Sequence, residues 1–202
     1  MKKVLLLLMV LGLGIMSSAA PVFFDDFNLE NGGIYQLNYT GFANWSVSGG
    51  TVDLIGVGSP WNYFPTYGLY VDMDGSTNEA GLMLSKEIQL QAGIYEFSYE
   101  LAGNQRNSPG DKVFVNVNVV GDGGIISNTE SLDWNAPFTL FSTQFTLTSP
   151  QKITISFDGD GGDNIGMLLD NVKLVAIPAP GAILLGVMGT SLVGWLRRRR
   201  SL

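Results

Sequence analysis

The sequence contains no cysteine and no histidine. The first absence excludes disulfides and thiolate metal sites, although a domain of this size buries enough apolar surface to stand in an oxidising compartment without bridges. The second removes the usual general base, the Ser-His-Asp and Cys-His arrangements, and the commonest zinc and copper ligand. Charge is scarce as well, at 14% of the 202 residues, and basic charge is scarcer still. Of 11 lysines and arginines, six (Lys2, Lys3, Arg197, Arg198, Arg199 and Arg200) sit in the terminal segments. The other five face all 18 acidic residues, so the middle of the chain carries about −13. That balance excludes nucleic acid as a partner, because binding a phosphate backbone depends on basic contacts that release counterions. Divalent cations and neutral glycans remain compatible. With 46% apolar residues the chain has the material for a packed core, and its length suits one domain with appendages.

The appendages are legible at both ends. Met1-Lys2-Lys3, an uninterrupted apolar stretch over 4–16 and the small residues Ser17-Ser18-Ala19-Ala20 read as a secretory signal peptide, residues 1–19, cleaved after Ala19. The apolar stretch is shorter than the ~20 residues of a spanning helix. At the other end, Ile177-Pro178-Ala179-Pro180 leads into an apolar segment, 181–196, and then Arg197-Arg198-Arg199-Arg200. The prolines end the last strand, the apolar segment makes a transmembrane helix of about 24 Å, and the arginines hold its end on the cytoplasmic side. This tail, 177–202, resembles the PEP-CTERM sorting signal of Gram-negative bacteria, with Ala179 in place of that family's Glu between Pro178 and Pro180. The resemblance implies export across the inner membrane and transient anchoring there by the C-terminal helix. It also implies processing by signal peptidase and an exosortase-type enzyme, and delivery to the cell surface or extracellular matrix of a Gram-negative-type bacterium.

Between the ends, residues 20–176 show no long helical periodicity, whereas alternation with a period of two recurs. Tyr95, Phe97, Tyr99 and Leu101 fall on one face, with Glu96, Ser98 and Glu100 on the other. Val113, Val115, Val117 and Val119 repeat the pattern, as do Phe141, Phe145 and Leu147, and Ile153, Ile155 and Phe157. Shorter strands are expected at 51–55, 69–73, 82–90 and 168–174. Turn chemistry separates them at Gly49-Gly50, Asp74-Gly75, Pro109-Gly110-Asp111, 121–124, Ser149-Pro150 and 158–162. The expected fold is all-β, an antiparallel two-sheet sandwich or jelly roll. Tyr70 to Gly75, Gly93 to Asn104 and the closing Leu169-Asp170-Asn171-Val172-Lys173-Leu174 resemble galactose-binding-like jelly rolls, the architecture of many carbohydrate-binding modules.

Three sets of residues could carry chemistry. Asp158, Asp160 and Asp163 lie in a Gly-Asp segment that offers the hard oxygen ligands calcium prefers. Asp25 and Asp26, with Asp170, are the alternative calcium set, in the general location where the resemblance implies a structural calcium. Trp61, Tyr63 and Tyr67, with Phe64, share a loop-like segment, and Trp45 and Trp134 fall in other expected loops. Such rings stack on the apolar face of a pyranose, and Asn104, Gln105 and Arg106 are the accompanying hydrogen-bonding groups. No carboxylate spacing singles out an acid and a nucleophile. The reading is a non-catalytic, sorted surface or matrix protein that meets exopolysaccharide. A calcium-dependent carbohydrate-binding module and a small glycan-active enzyme are its alternatives. Mass spectrometry of the mature protein from its host is expected to show an N-terminus at Ala20 and loss of the arginine cluster; a C-terminus still at Leu202 contradicts processing.

Overall fold

The computed structural model describes residues 20–77, 79–106 and 110–178. The expected signal peptide, Ala179, Pro180, the apolar segment 181–196 and the arginines 197–200 lie outside the described residues. Among the described residues, no helix is long and apolar enough to cross a membrane.

The described chain is almost entirely β. Its strands are β1 (Pro21–Asp25), β2 (Trp45–Ser48), β3 (Asp53–Gly56), β4 (Leu69–Asp72), β5 (Leu82–Ser85), β6 (Ile88–Leu90), β7 (Gly93–Ala102), β8 (Lys112–Val119), β9 (Gly123–Ser131), β10 (Thr139–Leu147), β11 (Gln151–Gly159) and β12 (Leu168–Ile177). They form two sheets, and every strand pairing within them is antiparallel. The front sheet runs β10-β7-β12-β4-β3, and β1 lies beside β12 past the end of β4. The back sheet runs β2-β5-β11-β8-β9, with β6 taking over from β5 along β11. This is the antiparallel two-sheet sandwich that the alternation predicts.

The alternation also decides which faces meet. Tyr95, Phe97, Tyr99 and Leu101 of β7 point inward, as do Val113, Val115 and Val117 of β8 and Ile153, Ile155 and Phe157 of β11. Phe157 joins the sheets. Its ring lies 5.3 Å from Tyr99 and 6.3 Å from Phe97 across the sandwich, and 5.7 Å from Trp45 on its own side. Trp45, expected in a loop, sits in β2 and is buried, and its indole N–H donates to Asp25 Oδ2 at 2.9 Å. That bond ties the back sheet to the end of β1.

Three further elements differ from the sequence pattern. The stretch 82–90 is two strands rather than one, interrupted at Lys86, whose N–H leaves the sheet to reach the Asn44 carbonyl. The buried Ser85 Oγ fills the break by accepting from Ile155 N at 2.8 Å, so the neighbouring strand loses no hydrogen bond. Gly123 and Gly124 begin β9 instead of ending a turn, and β9 is a polar edge strand: its burial alternates from Ile126 onward, but the half-buried positions Asn128 and Glu130 are polar, so no apolar alternation marks it. Asp158, expected in a turn, is a strand residue opposite Phe114 of β8 and Leu82 of β5.

Because Phe157 is fully buried among three rings, Phe157→Ala is expected to lower unfolding free energy by about 3–5 kcal/mol. Leu140→Ala, on an exposed outer position, is expected to stay within about 0.5 kcal/mol. Urea denaturation of the two variants checks the contrast.

Candidate functional site

The outer face of the front sheet departs from a plain solvated surface. Strand alternation places Glu96, Ser98 and Glu100 of β7 there, and the register sets Leu140 opposite Glu100 and Ser142 opposite Ser98. On β12 a bulge intervenes. Asp170 faces Glu100 and Lys173 faces Ser98, so three steps on β12 match two on β7. Asn171 absorbs the extra residue at φ 51°, a left-handed conformation that asparagine tolerates. As a result Asp170 and Lys173 emerge on the same outer face, and the Asn171 side chain donates from Nδ2 to Glu100 Oε2 at 2.8 Å. With Phe24 from β1 these residues line a depression of about 330 Å³: Phe24, Glu96, Ser98, Glu100, Leu140, Ser142, Asn171 and Lys173.

One end of this face is covered by the loop between β3 and β4. Trp61, Tyr63, Phe64 and Tyr67 pack, half-buried, on Ile55, Tyr70, Ala102 and Leu168, with Phe138 from the segment before β10. The Tyr70 hydroxyl organises the loop: it accepts from the backbone N–H of Tyr63 at 2.8 Å and of Phe64 at 3.3 Å, and donates to the Trp61 carbonyl at 3.0 Å. Gly68 closes the loop at φ +84°, where an added Cβ would stand 1.9 Å from Asn28 Oδ1, itself the acceptor for Leu69 N. Tyr67 stacks on Phe138 with centroids 4.3 Å apart. Burial, and then the neighbouring Glu100 and Asp170 carboxyls, push the Tyr67 phenol up. Tyr67 is therefore where the aromatic cover meets the polar depression.

Asp170 is 1% exposed, and burial, followed by Glu100, Asp26 and Asp25, pushes its carboxyl up to about 8. At neutral pH it is mainly the uncharged acid.

Sequence reasoning placed Trp61, Tyr63 and Tyr67 together, and they do share one cluster. Asn104 and Arg106 are committed elsewhere: Asn104 is buried and donates to Asp111 Oδ2 at 2.8 Å, while Arg106 pairs with the fully buried Asp72 and reaches the Asn164 carbonyl. Pairing of β1 with β12 brings Asp25 and Asp26 near Asp170, yet Asp25 already accepts from Phe27 N, Asn44 Nδ2 and Trp45 Nε1. Asp25 and Asp26 line a separate depression of about 510 Å³ with Glu30 and Asn44. Asp158 is held in β11, away from the exposed turn formed by Asp160 and Asp163. Among the described residues no group of three or more acidic side chains stands close enough to hold a metal ion. Phe24, Glu100, Asn171 and Lys173 were not singled out from sequence. The alternation along β7 carried the signal for Glu100, but the bulge that adds Asn171 and Lys173 has only the Asp-Asn pair to announce it.

No protein-family model matches the sequence, and no curated protein matches it either. Its fold, however, is found among solved structures. The CBM22-1 xylan-binding domain of Paenibacillus barcinonensis Xyn10C is similar to it with a TM-score of 0.50 at 13% identity, over 80% of this chain and 97% of that one. The K3 adhesin domain of Lys-gingipain from Porphyromonas gingivalis is similar with a TM-score of 0.51 at 14% identity, over 77% of this chain and 98% of that one. The chain shares a fold with carbohydrate-binding modules.

The raised carboxyls set a pH dependence. An Asp titrates near 3.9 when unfolded, so between there and about 8 the folded chain holds a proton on Asp170 that the unfolded chain has lost. Stability is thus complete below that window and falls as pH rises through it, by up to about 1.4 kcal/mol per pH unit for one such group. Asp74, pushed up to about 6 chiefly by burial, acts in the same direction. The melting temperature is expected to drop from about pH 4 to pH 8, and less steeply in Asp170→Asn; a melting temperature that climbs over that range contradicts the assignment.

Proposed function

We propose that this chain is an exported, non-catalytic surface or matrix protein that binds polysaccharide on the outer face of its front sheet. The observation that carries the reading is the depression itself, in which the ring of Phe24 borders a hydrogen-bonding set of Glu96, Glu100, Asn171 and Lys173, with the Tyr67 phenol, outside the lining, near enough to feel the Glu100 carboxyl. A pyranose presents C–H groups on one face and hydroxyls around its edge, and this arrangement offers a partner to each. The acidic body, about −13 outside the termini, repels polyanions and favours neutral chains. The fold shared with a xylan-binding domain supports the same reading.

The sequence of both ends supports the location. A leader of signal-peptide type and a Pro-Ala-Pro, apolar and arginine tail fit passage through signal peptidase and an exosortase-type enzyme, with the inner membrane as a temporary anchor. Binding is favoured over cleavage by the burial of Asp170. A glycosidase needs two carboxyls about 5–10 Å apart across the scissile bond; Asp170, beside Glu100, is closed off from a substrate, and Glu96 stands four residues along β7, about 13 Å away at the backbone.

Affinity electrophoresis of the protein through gels holding xylan, or one of a panel of other neutral polysaccharides, tests this reading. Retardation by at least one is expected, weakened about tenfold, or ~1.4 kcal/mol, by Glu100→Gln and by Tyr67→Ala. Phe114→Ala, an exposed ring on the back sheet, is expected to leave it unchanged. Free migration in every gel overturns the proposal, and release of reducing sugar that Glu100→Gln abolishes favours an enzyme instead.

A further inference from the structure

A strand at the edge of a sheet exposes a row of backbone N–H and C=O groups that pairs with another strand unless something blocks it. Among the described residues, β1, β2, β3, β6, β9 and β10 each pair with a named strand on one side only. Five of these edges are blocked. β1, β2, β3 and β6 are three to five residues long, and β3 is further covered by Gln36, whose N–H and carbonyl both bond to Leu54. β9 opens on two glycines, carries Glu130 and slips its register on β8 between Val117 and Asn118. β10 has none of these features. It runs for nine residues without proline or charge, and its register on β7 is unbroken from Thr139 opposite Leu101 to Leu147 opposite Gly93.

The strand also suits its own reverse. An antiparallel copy centred on Thr143 sets Phe141 against Phe145, Ser142 against Gln144 and Thr143 against itself, and each of the two outer pairs joins a Leu to a Thr. Aromatic pairs and threonine pairs are among the cross-strand contacts that stabilise antiparallel neighbours. Charge permits the approach as well. Two bodies of about −13 repel each other, yet the acids beside β10 in its own sheet, Glu96 and Glu100, lie one strand in. Across three strand spacings they would stand about 14 Å from their counterparts, beyond the ~8 Å screening length of physiological salt.

We infer that β10 is a self-association edge, on which two copies of this chain pair β10 with β10 antiparallel about a twofold axis at Thr143. The two front sheets then continue into one another. Each copy uses the same edge, so the contact closes on itself and assembly stops at a dimer. Directly opposed residues of an antiparallel pair share a face. Phe141 and Phe145, which point inward on β10, therefore meet on the core side, and the two front-sheet depressions come to lie on one continuous outer face. The pairing does not depend on polysaccharide binding.

Sedimentation velocity of the full-length protein in density-matched detergent micelles, across a wide range of concentration, tests the inference. The wild type is expected to form a concentration-dependent dimer. Thr143 is half-buried at the rim, where a long charged chain can reach solvent. Thr143→Lys and Thr143→Glu each set like charges face to face at the axis. Each is expected to weaken association at least about tenfold, or ~1.4 kcal/mol, and an equal mixture of the two to restore it, because opposite charges then meet. Since the chain has no cysteine, Thr143→Cys gives a second measurement that does not depend on a buried charge. Directly opposed Cα atoms lie about 4.5–5.5 Å apart, within disulfide reach, so copper–phenanthroline oxidation is expected to give a dimer on a non-reducing gel. Thr139→Cys, which meets Leu147 of the second copy, is expected to remain uncrosslinked. A monomeric wild type overturns the pairing, as do species larger than a dimer or an undiminished dimer in Thr143→Lys. Thr143→Cys that crosslinks no better than Thr139→Cys overturns it too.

Discussion

The front sheet depends on the last strand of the domain being at its centre. β12 hydrogen-bonds β7 along one side, and β4 and then β1 along the other, so the sheet joins residues from both ends of the described chain. Pairing strands so far apart in sequence costs loop-closure entropy before any contact repays it, which makes this a fold of slow, late assembly. Inward residues of β12, among them Leu169, Val172 and Leu174, then complete the core against the back sheet. Were β12 to slip by one residue, its apolar set would turn outward.

The same strand builds the candidate binding face. The bulge at Asn171 preserves the inward direction of Leu169, Val172 and Leu174 while sending both Asp170 and Lys173 outward. Core packing and surface chemistry are thereby reconciled in one strand. The aromatic cover at the end of that face follows a similar economy: one phenol, Tyr70, satisfies three backbone groups of a loop otherwise short of regular hydrogen bonds. What remains open beside it is a shallow, mixed surface in which rings border carboxylates, amide and ammonium.

Negative charge is distributed over this molecule in two unlike ways. On the front face burial favours the protonated form of Asp170, pushing its carboxyl up to about 8, and its neighbours are reached by solvent or by Asn171. At the loop end Asp72 is answered by Arg106 and two backbone N–H groups, whereas burial pushes the Asp74 carboxyl up to about 6. A chain with five basic residues in its body cannot pair 18 acids internally, so most are left to solvent, and burial pushes the sealed ones toward the protonated form.

The sequence by itself determined the class of fold and, for β7, β8, β10 and β11, the inward face of each, because a period of two in apolar residues can only be read one way once a single face is buried. It also determined the acidic character of the body. Two short strands and one long one escaped it: β1 and β2 are too brief to show a period, and the nine-residue β9 is polar and shows no apolar alternation. The site was legible in part. Tyr67 and its aromatic neighbours were visible as a composition, and Glu100 as the polar side of an alternating strand. Only the tertiary structure decided that the buried Asn104 holds Asp111, that Arg106 pairs with the buried Asp72, and that Asn171 bends β12 toward Glu100. The Arg106–Asp72 and Asn171–Glu100 contacts join residues 34 and 71 positions apart, and local periodicity carries no information about which distant strand or loop meets which side chain.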